Sequence, residues 1–223
     1  MADQSSDGWN AGANYEDFMG RWSRRLSEEF VRWIGVPPGR RWLDVGTGTG
    51  ALVTAIYAIG EPASVVGCDP SASFIEAARK GLGDSRVIFE VAGTGSLPKH
   101  RGGYDAVVSG LALNFFPDPG EAIEEQLSLA CPGGRVGAFV WDYAEGMEFL
   151  RHFWDAARAI EPKAVYVDEG RRFPICNPES LESLFRSAGA ERIRLSSLTV
   201  PTRFSSFEDY WRPFLGGTGP APN

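Results

Sequence analysis

The sequence predicts an α/β protein built on a doubly wound, mostly parallel, Rossmann-like sheet with helices on both faces. Three observations predict it. Short apolar runs alternate with amphipathic segments along most of the chain. The first run, Leu43-Asp44-Val45, breaks into Gly46-Thr47-Gly48-Thr49-Gly50, and the second, Ser64-Val65-Val66-Gly67-Cys68, ends in an acid, Asp69, nineteen residues past the last of those glycines. At 223 residues, 43% of them hydrophobic and 23% charged, the chain suits one domain over residues 1–223 with a sizeable core.

The elements follow in order. Leu26, Phe30, Trp33 and Ile34 fall at helical spacing, and Pro37-Pro38-Gly39 ends that helix. Arg41–Val45 reads as a strand, Ala51–Ile59 as the helix after the glycine turn, and Ser64–Cys68 as the second strand. Ser73 with Glu76 forms a capping-box pattern for a helix closing at Gly81. Val87–Val91 and Tyr104–Ser109 are the third and fourth strands. Asp118-Pro119-Gly120-Glu121 opens a helix, with Asp as cap and Pro in the first turn, that runs to about Cys131. Pro132-Gly133-Gly134 is read as a turn before a fifth strand at Arg135–Trp141. A helix from Asn177-Pro178 to Ala188 stops at Gly189, and Ile193–Val200 reads as a sixth strand. Residues 143–176 form an insertion whose Met147, Phe149, Leu150, Phe153 and Trp154 suit a helical cap over the carboxyl ends of the strands. The segment from Gly216 to Pro222 has a loop composition.

Bulk properties narrow the function classes. A net charge of −7 argues against a general nucleic-acid surface, which needs clustered Lys and Arg. No stretch is apolar enough to span a bilayer, and residues 1–10 lack the apolar core of a signal peptide. Three scattered cysteines, Cys68, Cys131 and Cys176, suggest reduced thiols in a cytoplasm. With His100 and His152 as the only histidines and no paired cysteines, no metal site is expected.

The glycine turn and the acid beyond it make an adenosine-binding layout. Backbone can approach the ligand at the glycines, and Asp69 can accept both ribose hydroxyls. Gly46-x-Gly48-x-x-Ala51 also satisfies a loose dinucleotide fingerprint. Asp44, two residues before the first glycine, separates the two possibilities. A carboxylate beside a pyrophosphate is unfavourable, whereas one beside the ammonium and sulfonium of S-adenosylmethionine is useful.

On these residues the chain resembles the class I S-adenosylmethionine-dependent methyltransferases, and most of all the group related to ubiquinone/menaquinone-biosynthesis enzymes. The resemblance covers roughly residues 15–200. It is carried by Leu43-Asp44-Val45-Gly46-Thr47-Gly48-Thr49-Gly50, Val66-Gly67-Cys68-Asp69-Pro70-Ser71, Tyr104-Asp105-Ala106-Val107-Val108-Ser109 and Leu129-Ala130-Cys131-Pro132-Gly133-Gly134. It implies that Gly46, Thr47, Gly48 and Gly50 line the methionine and ribose moieties, with Asp44 near the amino-acid end. Asp69 would hold the ribose diol, Pro70 and Ser71 the adenine edge, and Leu111 would lie near the reactive methyl with Asn114 and Phe115 close by. Residues 1–35 would form a lid, around Tyr15 to Trp22, followed by a helix.

Two departures from the family pattern stand out. Gly93 occupies the position of an acid that commonly bonds the adenine amine, which leaves Thr94, Ser96 or backbone groups to hold adenine. The family's last, antiparallel strand has no counterpart after Pro201. An inner strand cannot vanish without leaving unpaired backbone, so the expectation is that the sequence continues past Asn223.

The remaining polar groups read mostly as structural. Asp105 opens a strand, His100 sits in a polar loop, and Phe149, Phe153 and Trp154 suit a core more than a substrate cage. Arg171-Arg172-Phe173 suits a solvated loop or an anionic acceptor, and Trp141-Asp142-Tyr143 lies at the pocket edge. No catalytic residue is assigned; Asp142, Tyr143, His152 and Tyr15 are the candidate bases. The expectation is a methyltransferase acting on a small-molecule acceptor, with oligomeric state open. A NAD-dependent oxidoreductase and a non-catalytic cofactor-binding protein are the alternatives.

Overall fold

The computed structural model describes residues 19–216. Tyr15 and most of the expected lid therefore lie outside the described residues. Helix α1 (Arg21–Ile34) buries Trp22, Leu26, Phe30, Val31 and Ile34 and ends at Gly35, whose left-handed φ of 63° turns the chain before the two prolines are reached. Strand β1 (Arg41–Val45), α2 (Ala51–Ile59), β2 (Ser64–Asp69), α3 (Ala72–Gly81) and β3 (Val87–Val91) then alternate. After them come β4 (Tyr104–Gly110), a 3-10 turn (Leu113–Phe115), α4 (Pro119–Leu129) and β5 (Ala130–Phe139). The strands form one parallel sheet in the order β3-β2-β1-β4-β5. Crossing from β1 to β2 and from β3 to β4 puts a switch point beside β1, where the carboxyl ends of β1 and β4 diverge to make a crevice.

Two apolar layers sandwich the sheet. Trp42, Val53, Ile56, Val65, Ala106 and Val108 pack with α1 and α2 on one face, and Leu43, Val45, Cys68, Val107 and Leu129 fill the other. A separate core forms above the strand ends. There α5 (Glu148–Ile160) brings Phe149, Leu150 and Trp154 against Met19 and Trp22, the loop residue Tyr143, and Phe214. A 3-10 turn (Pro162–Tyr166), a single α-turn, α6 (Glu169–Arg172), the helix α7 (Pro178–Ser187), the short α8 (Phe207–Trp211) and a last 3-10 turn (Arg212–Gly216) complete the described chain. Phe149 and Trp154 are thus core, and His152 is exposed.

Three expectations need correcting. The cap of α3 is Ser71, whose hydroxyl accepts from the Phe74 amide, while Ser73 bonds Ser71 and Glu76 pairs instead with Lys80 one turn on. The aspartate at the end of β2 presents the Ser71 amide, and that geometry starts the helix two residues early. Pro132-Gly133-Gly134 lies within β5, which begins at Ala130 and carries an irregularity opposite Tyr104 and Ala106 rather than a separate turn.

Third, Ile193–Val200 forms no strand, and β5 is an edge of the sheet among the described residues. Arg194 donates to the Trp33 carbonyl at 2.7 Å and lies over the Trp33 ring, which ties the segment to α1. A cleft of about 1370 Å³, with Phe30, Ile34, Phe139 and Leu198 among its lining residues, runs between this segment and β5. A strand needs a ladder partner, and here the cleft lies where that partner would be.

Candidate cofactor and active site

Strand β1 delivers Asp44 fully buried to its carboxyl end, and the loop that follows folds back on β2. The amides of Gly46 and Thr47 both donate to the Cys68 carbonyl, at 2.8 and 2.9 Å. At Gly46, φ is 77° and an added Cβ would sit 2.5 Å from the Ala112 Cβ, so the loop can press against the turn after β4 only as glycine. Gly67 serves the same packing from β2, since a Cβ there would meet the Thr47 hydroxyl at 2.9 Å. Nothing in the sequence motif singled Gly67 out.

Two acids flank this loop. Asp69 accepts from the Gly48 amide at 3.0 Å and the Ser71 amide at 2.8 Å, which fixes it between the glycine loop and the start of α3. Burial raises its carboxyl above the ordinary range, and the two amides offset part of that rise. Neither oxygen of Asp44 accepts a hydrogen bond, and the Thr47 hydroxyl nearby is likewise without a partner. Burial pushes the Asp44 carboxyl up to about 7; the Thr47 hydroxyl, close by but outside hydrogen-bonding geometry, pulls it back in part and the charge of Asp69 adds to the rise. A buried acid with two idle oxygens is costly unless something cationic or hydrogen-bonding meets it.

The other predicted residues divide by place. Pro70 is exposed beside Asp69 and packs near Gly93, where an added Cβ would come 3.5 Å from the Pro70 ring. Thr94 is exposed, and Ser96 spends its hydroxyl on the Gly93 carbonyl at 3.0 Å. The loop is held from α4, where Glu125 accepts the Gly95 amide at 2.6 Å and the Leu97 amide at 3.3 Å. Sequence reading passed over Glu125, and a charge thirty residues downstream gives no local signal for it. Leu111 stands at φ 57°, a conformation rare for a side chain of its size, with its amide on the Phe139 carbonyl at 2.8 Å.

Above the strand ends, rings gather. Phe115 is 40% exposed at the 3-10 turn and meets the Phe173 ring edge-on at 5.1 Å, while Phe173 lies 5.6 Å from Tyr143. The Arg172 guanidinium sits over Phe173, and Arg171 over Tyr166. Asp142 is occupied by its own turn, with Oδ1 accepting from the Ala144 and Glu145 amides. Asp105 lies at the opposite end of the sheet, bonded to Arg41 and Arg40. Among the described residues no group of His, Cys, Asp and Glu is placed to hold a metal ion. No helix among them is long and apolar enough to cross a membrane.

A parallel sheet with a glycine loop and two acids at its switch point defines a Rossmann-like class that takes adenosine cofactors. Comparison with known proteins gives the family. Residues 43–138 match the model of a methyltransferase domain. A demethylmenaquinone methyltransferase of Clavibacter sepedonicus is 30% identical over 185 residues, 76% of this chain and 73% of its own. The ubiquinone/menaquinone biosynthesis C-methyltransferase of Vibrio parahaemolyticus is 27% identical over 203 residues, covering 82% of this chain and 77% of its own. The fold is that of a Haloferax volcanii chain solved with the Trm112 methyltransferase activator, with a TM-score of 0.64 and 21% identity over 95% of this chain and 91% of that one. It also matches a Haemonchus contortus phosphoethanolamine N-methyltransferase holding S-adenosylhomocysteine, with a TM-score of 0.59 and 20% identity over 84% of this chain and 42% of that one. The chain belongs to the class I S-adenosylmethionine-dependent methyltransferases, in the group related to the ubiquinone/menaquinone-biosynthesis enzymes.

Proposed function

We propose that the chain is a single methyltransferase domain that moves a methyl group from S-adenosylmethionine to a small, flat, aromatic acceptor of the quinol or phenol type. One observation carries the cofactor side: the fully buried Asp44 has two oxygens without donors, directly below a glycine loop fastened by Asp69. In this reading the cofactor ammonium answers Asp44, by contact or through water, and Thr47 with the Gly46–Gly50 backbone follows the methionine and ribose. Asp69 turns its carboxylate to the ribose diol, and Pro70, Ser71, Gly93 and Thr94 border the adenine. Leu111 stands by the methyl. A dinucleotide is disfavoured because its pyrophosphate would face the charge of Asp44.

The acceptor side rests on the ring cluster of Phe115, Tyr143 and Phe173 at the crevice mouth, which suits a planar ring better than a sugar or a peptide. The name of the Clavibacter relative points the same way. S-adenosylmethionine supplies an already activated methyl, so the protein's part is to align acceptor and donor and to exclude water. No side chain is assigned as base. Asp142 accepts the amides of its own turn, His152 faces outward and Tyr143 is buried. Three free thiols fit a reducing cytoplasm.

Calorimetric titration with S-adenosylhomocysteine tests the reading, with NADH and an Asp69→Ala variant in parallel. Micromolar binding of S-adenosylhomocysteine is expected, roughly 10- to 100-fold weaker in the variant, on the scale of a lost charge-assisted hydrogen bond. Tighter binding of NADH would overturn it.

A further inference from the structure

The turn α6 is the piece of the cap nearest the ring cluster, and it is held by an unusual set of buried polar groups. Asp168, its N-terminal cap, accepts from Nη1 and Nη2 of Arg151, at 2.9 and 2.6 Å, and from the Gly170 amide at 2.9 Å. Glu169 is only 4% exposed and accepts the indole N–H of Trp154, itself 2% exposed. Gly170 lies under the Tyr143 carbonyl, so closely that a Cβ would come within 3.0 Å of it. The chain leaving α6 then places Phe173 against Phe115 and Tyr143. Whatever holds α6 against α5 therefore also sets the roof over the acceptor mouth.

We propose that Glu169 is a positioning residue that, in its neutral form, fastens α6 to Trp154 and so closes the roof made by Phe173 and Tyr143. The inference rests on the methyl-transfer reading for its purpose, though not for its chemistry. Asp168 already has its counter-charge in Arg151, and among the described residues Glu169 has no ion pair of its own: an indole and its own amide are its hydrogen-bond donors. Burial holds its carboxyl up at about 7; its own amide and the Trp154 indole pull it down, the charge of Asp168 pushes it up, and Arg151 pulls it down again. Lys163 and Tyr166 of the adjoining turn (Pro162–Tyr166) are exposed to solvent. Ionising Glu169 thus places a second negative charge beside Asp168 in an apolar core.

The sign follows from which state holds the proton. With α6 closed the carboxyl keeps its proton up to about 7, and with α6 open it loses it near the ordinary value of 4.5. Opening therefore becomes about tenfold more frequent per pH unit between those values and levels off above 7. The roof is tightest in mildly acidic solution and loosest above neutrality.

Hydrogen exchange of the backbone amides of residues 169–173 in the full chain, corrected for the intrinsic pH dependence of exchange, tests this between pH 5 and 8. Protection should fall about tenfold per unit up to neutrality and then level. Glu169→Gln keeps an oxygen for the indole and carries no proton to lose, so its protection should stay high and flat. Trp154→Phe removes one of the donors that favour the charged form and should move the levelling point above 7. Any global effect of Asp44 persists in Glu169→Gln, so the difference between the two proteins isolates the latch. An unchanged slope in Glu169→Gln, or a flat profile in the unaltered chain, would overturn the proposal. S-adenosylhomocysteine titration of the same samples reports separately on the methyltransferase reading, because Glu169 lies in the cap and not in the cofactor loop.

Discussion

At the scale of single residues, the decisive group is Asp44. Its carboxyl stands at about 7 because burial outweighs everything that favours its charge. A folded-state value above the unfolded 3.8 means that the folded chain holds the extra proton, so stability of the unliganded protein declines as pH rises from about 4 to 7 and is level beyond. A cationic group arriving at those oxygens reverses the preference. S-adenosylhomocysteine should consequently bind about tenfold more tightly per pH unit from 5 towards 7, and its affinity should then level off. The ligand's own ammonium and carboxylate do not titrate in that range. Asp44→Asn should flatten the profile and bind the ligand more weakly at pH 8. Calorimetry across the pH series decides the matter: a slope that survives in Asp44→Asn would remove Asp44 from the site. Asp44 was visible in the sequence because a carboxylate two residues ahead of a glycine turn makes sense beside a cation and not beside a pyrophosphate. Its missing hydrogen-bond partners were not visible, since orphaning is a property of what surrounds a group.

At the scale of elements, the strands and their following helices were legible where local rules agree. Ala51–Ile59 and Val87–Val91 stand where the apolar spacing puts them, and Asp118 caps α4 through the Glu121 amide at 3.0 Å. The failures arise where a partner elsewhere decides. Ile193–Val200 has the composition of a strand but no ladder to join, and Ser71 displaces Ser73 as cap because Asp69 holds its amide. Glu169 and Trp154 are fifteen residues apart and Arg151 and Asp168 seventeen, so neither pair has a helical spacing to betray it. The glycine loop allows a quantitative check. Gly46→Ala combines a left-handed φ with a contact at 2.5 Å on a Cβ fixed to backbone, whereas Gly48→Ala has φ 54° and nothing within 4 Å of the new carbon. The second change should cost about 1–2 kcal/mol, the conformational term alone. The first should cost about 2–4 kcal/mol, since clash adds to conformation. For a chain of this size that separates the two melting temperatures by several degrees, at about 2–4 °C per kcal/mol. Equal losses in thermal denaturation would mean that the loop does not press on Ala112 as described.

At the scale of the whole molecule, two cores meet at one crevice. The sheet with its flanking helices is the first, and the cap of Met19, Trp22, Tyr143, Phe149, Trp154 and Phe214 is the second. Between them the proposed cofactor path runs along loops from β1, β2 and β4, while the ring cluster joins the turn after β4 to α6 in the cap. The first core was legible from periodicity. The second was legible only in part: the apolar crowding of Met147, Phe149, Leu150, Phe153 and Trp154 predicted its helix, but not the partners it takes from the start of α1 and the last described segment, which share no pattern with it. A ligand held by the sheet loops should stabilise the sheet directly, and reach the cap through Leu111, Phe115 and Phe173. At a concentration 100 times its dissociation constant, S-adenosylhomocysteine adds about 2.7 kcal/mol to the folded state by mass action. That corresponds to a rise of roughly 5–11 °C in melting temperature for a domain of this size. Far-ultraviolet dichroism follows the whole backbone, with the sheet and its helices dominant, and tryptophan fluorescence weighs the cap through Trp22 and Trp154 once Trp33 and Trp42, which belong to the sheet core, are replaced by Phe. Both transitions should rise together with S-adenosylhomocysteine and neither with NADH, while in Asp69→Ala at the same concentration a dissociation constant 10- to 100-fold weaker leaves about 0.4–1.4 kcal/mol and so about half the rise or less. A rise confined to the dichroism signal would mean that the cap is not coupled to the cofactor loops, and the roof over the acceptor would then have to close by some contact other than Phe115 with Phe173.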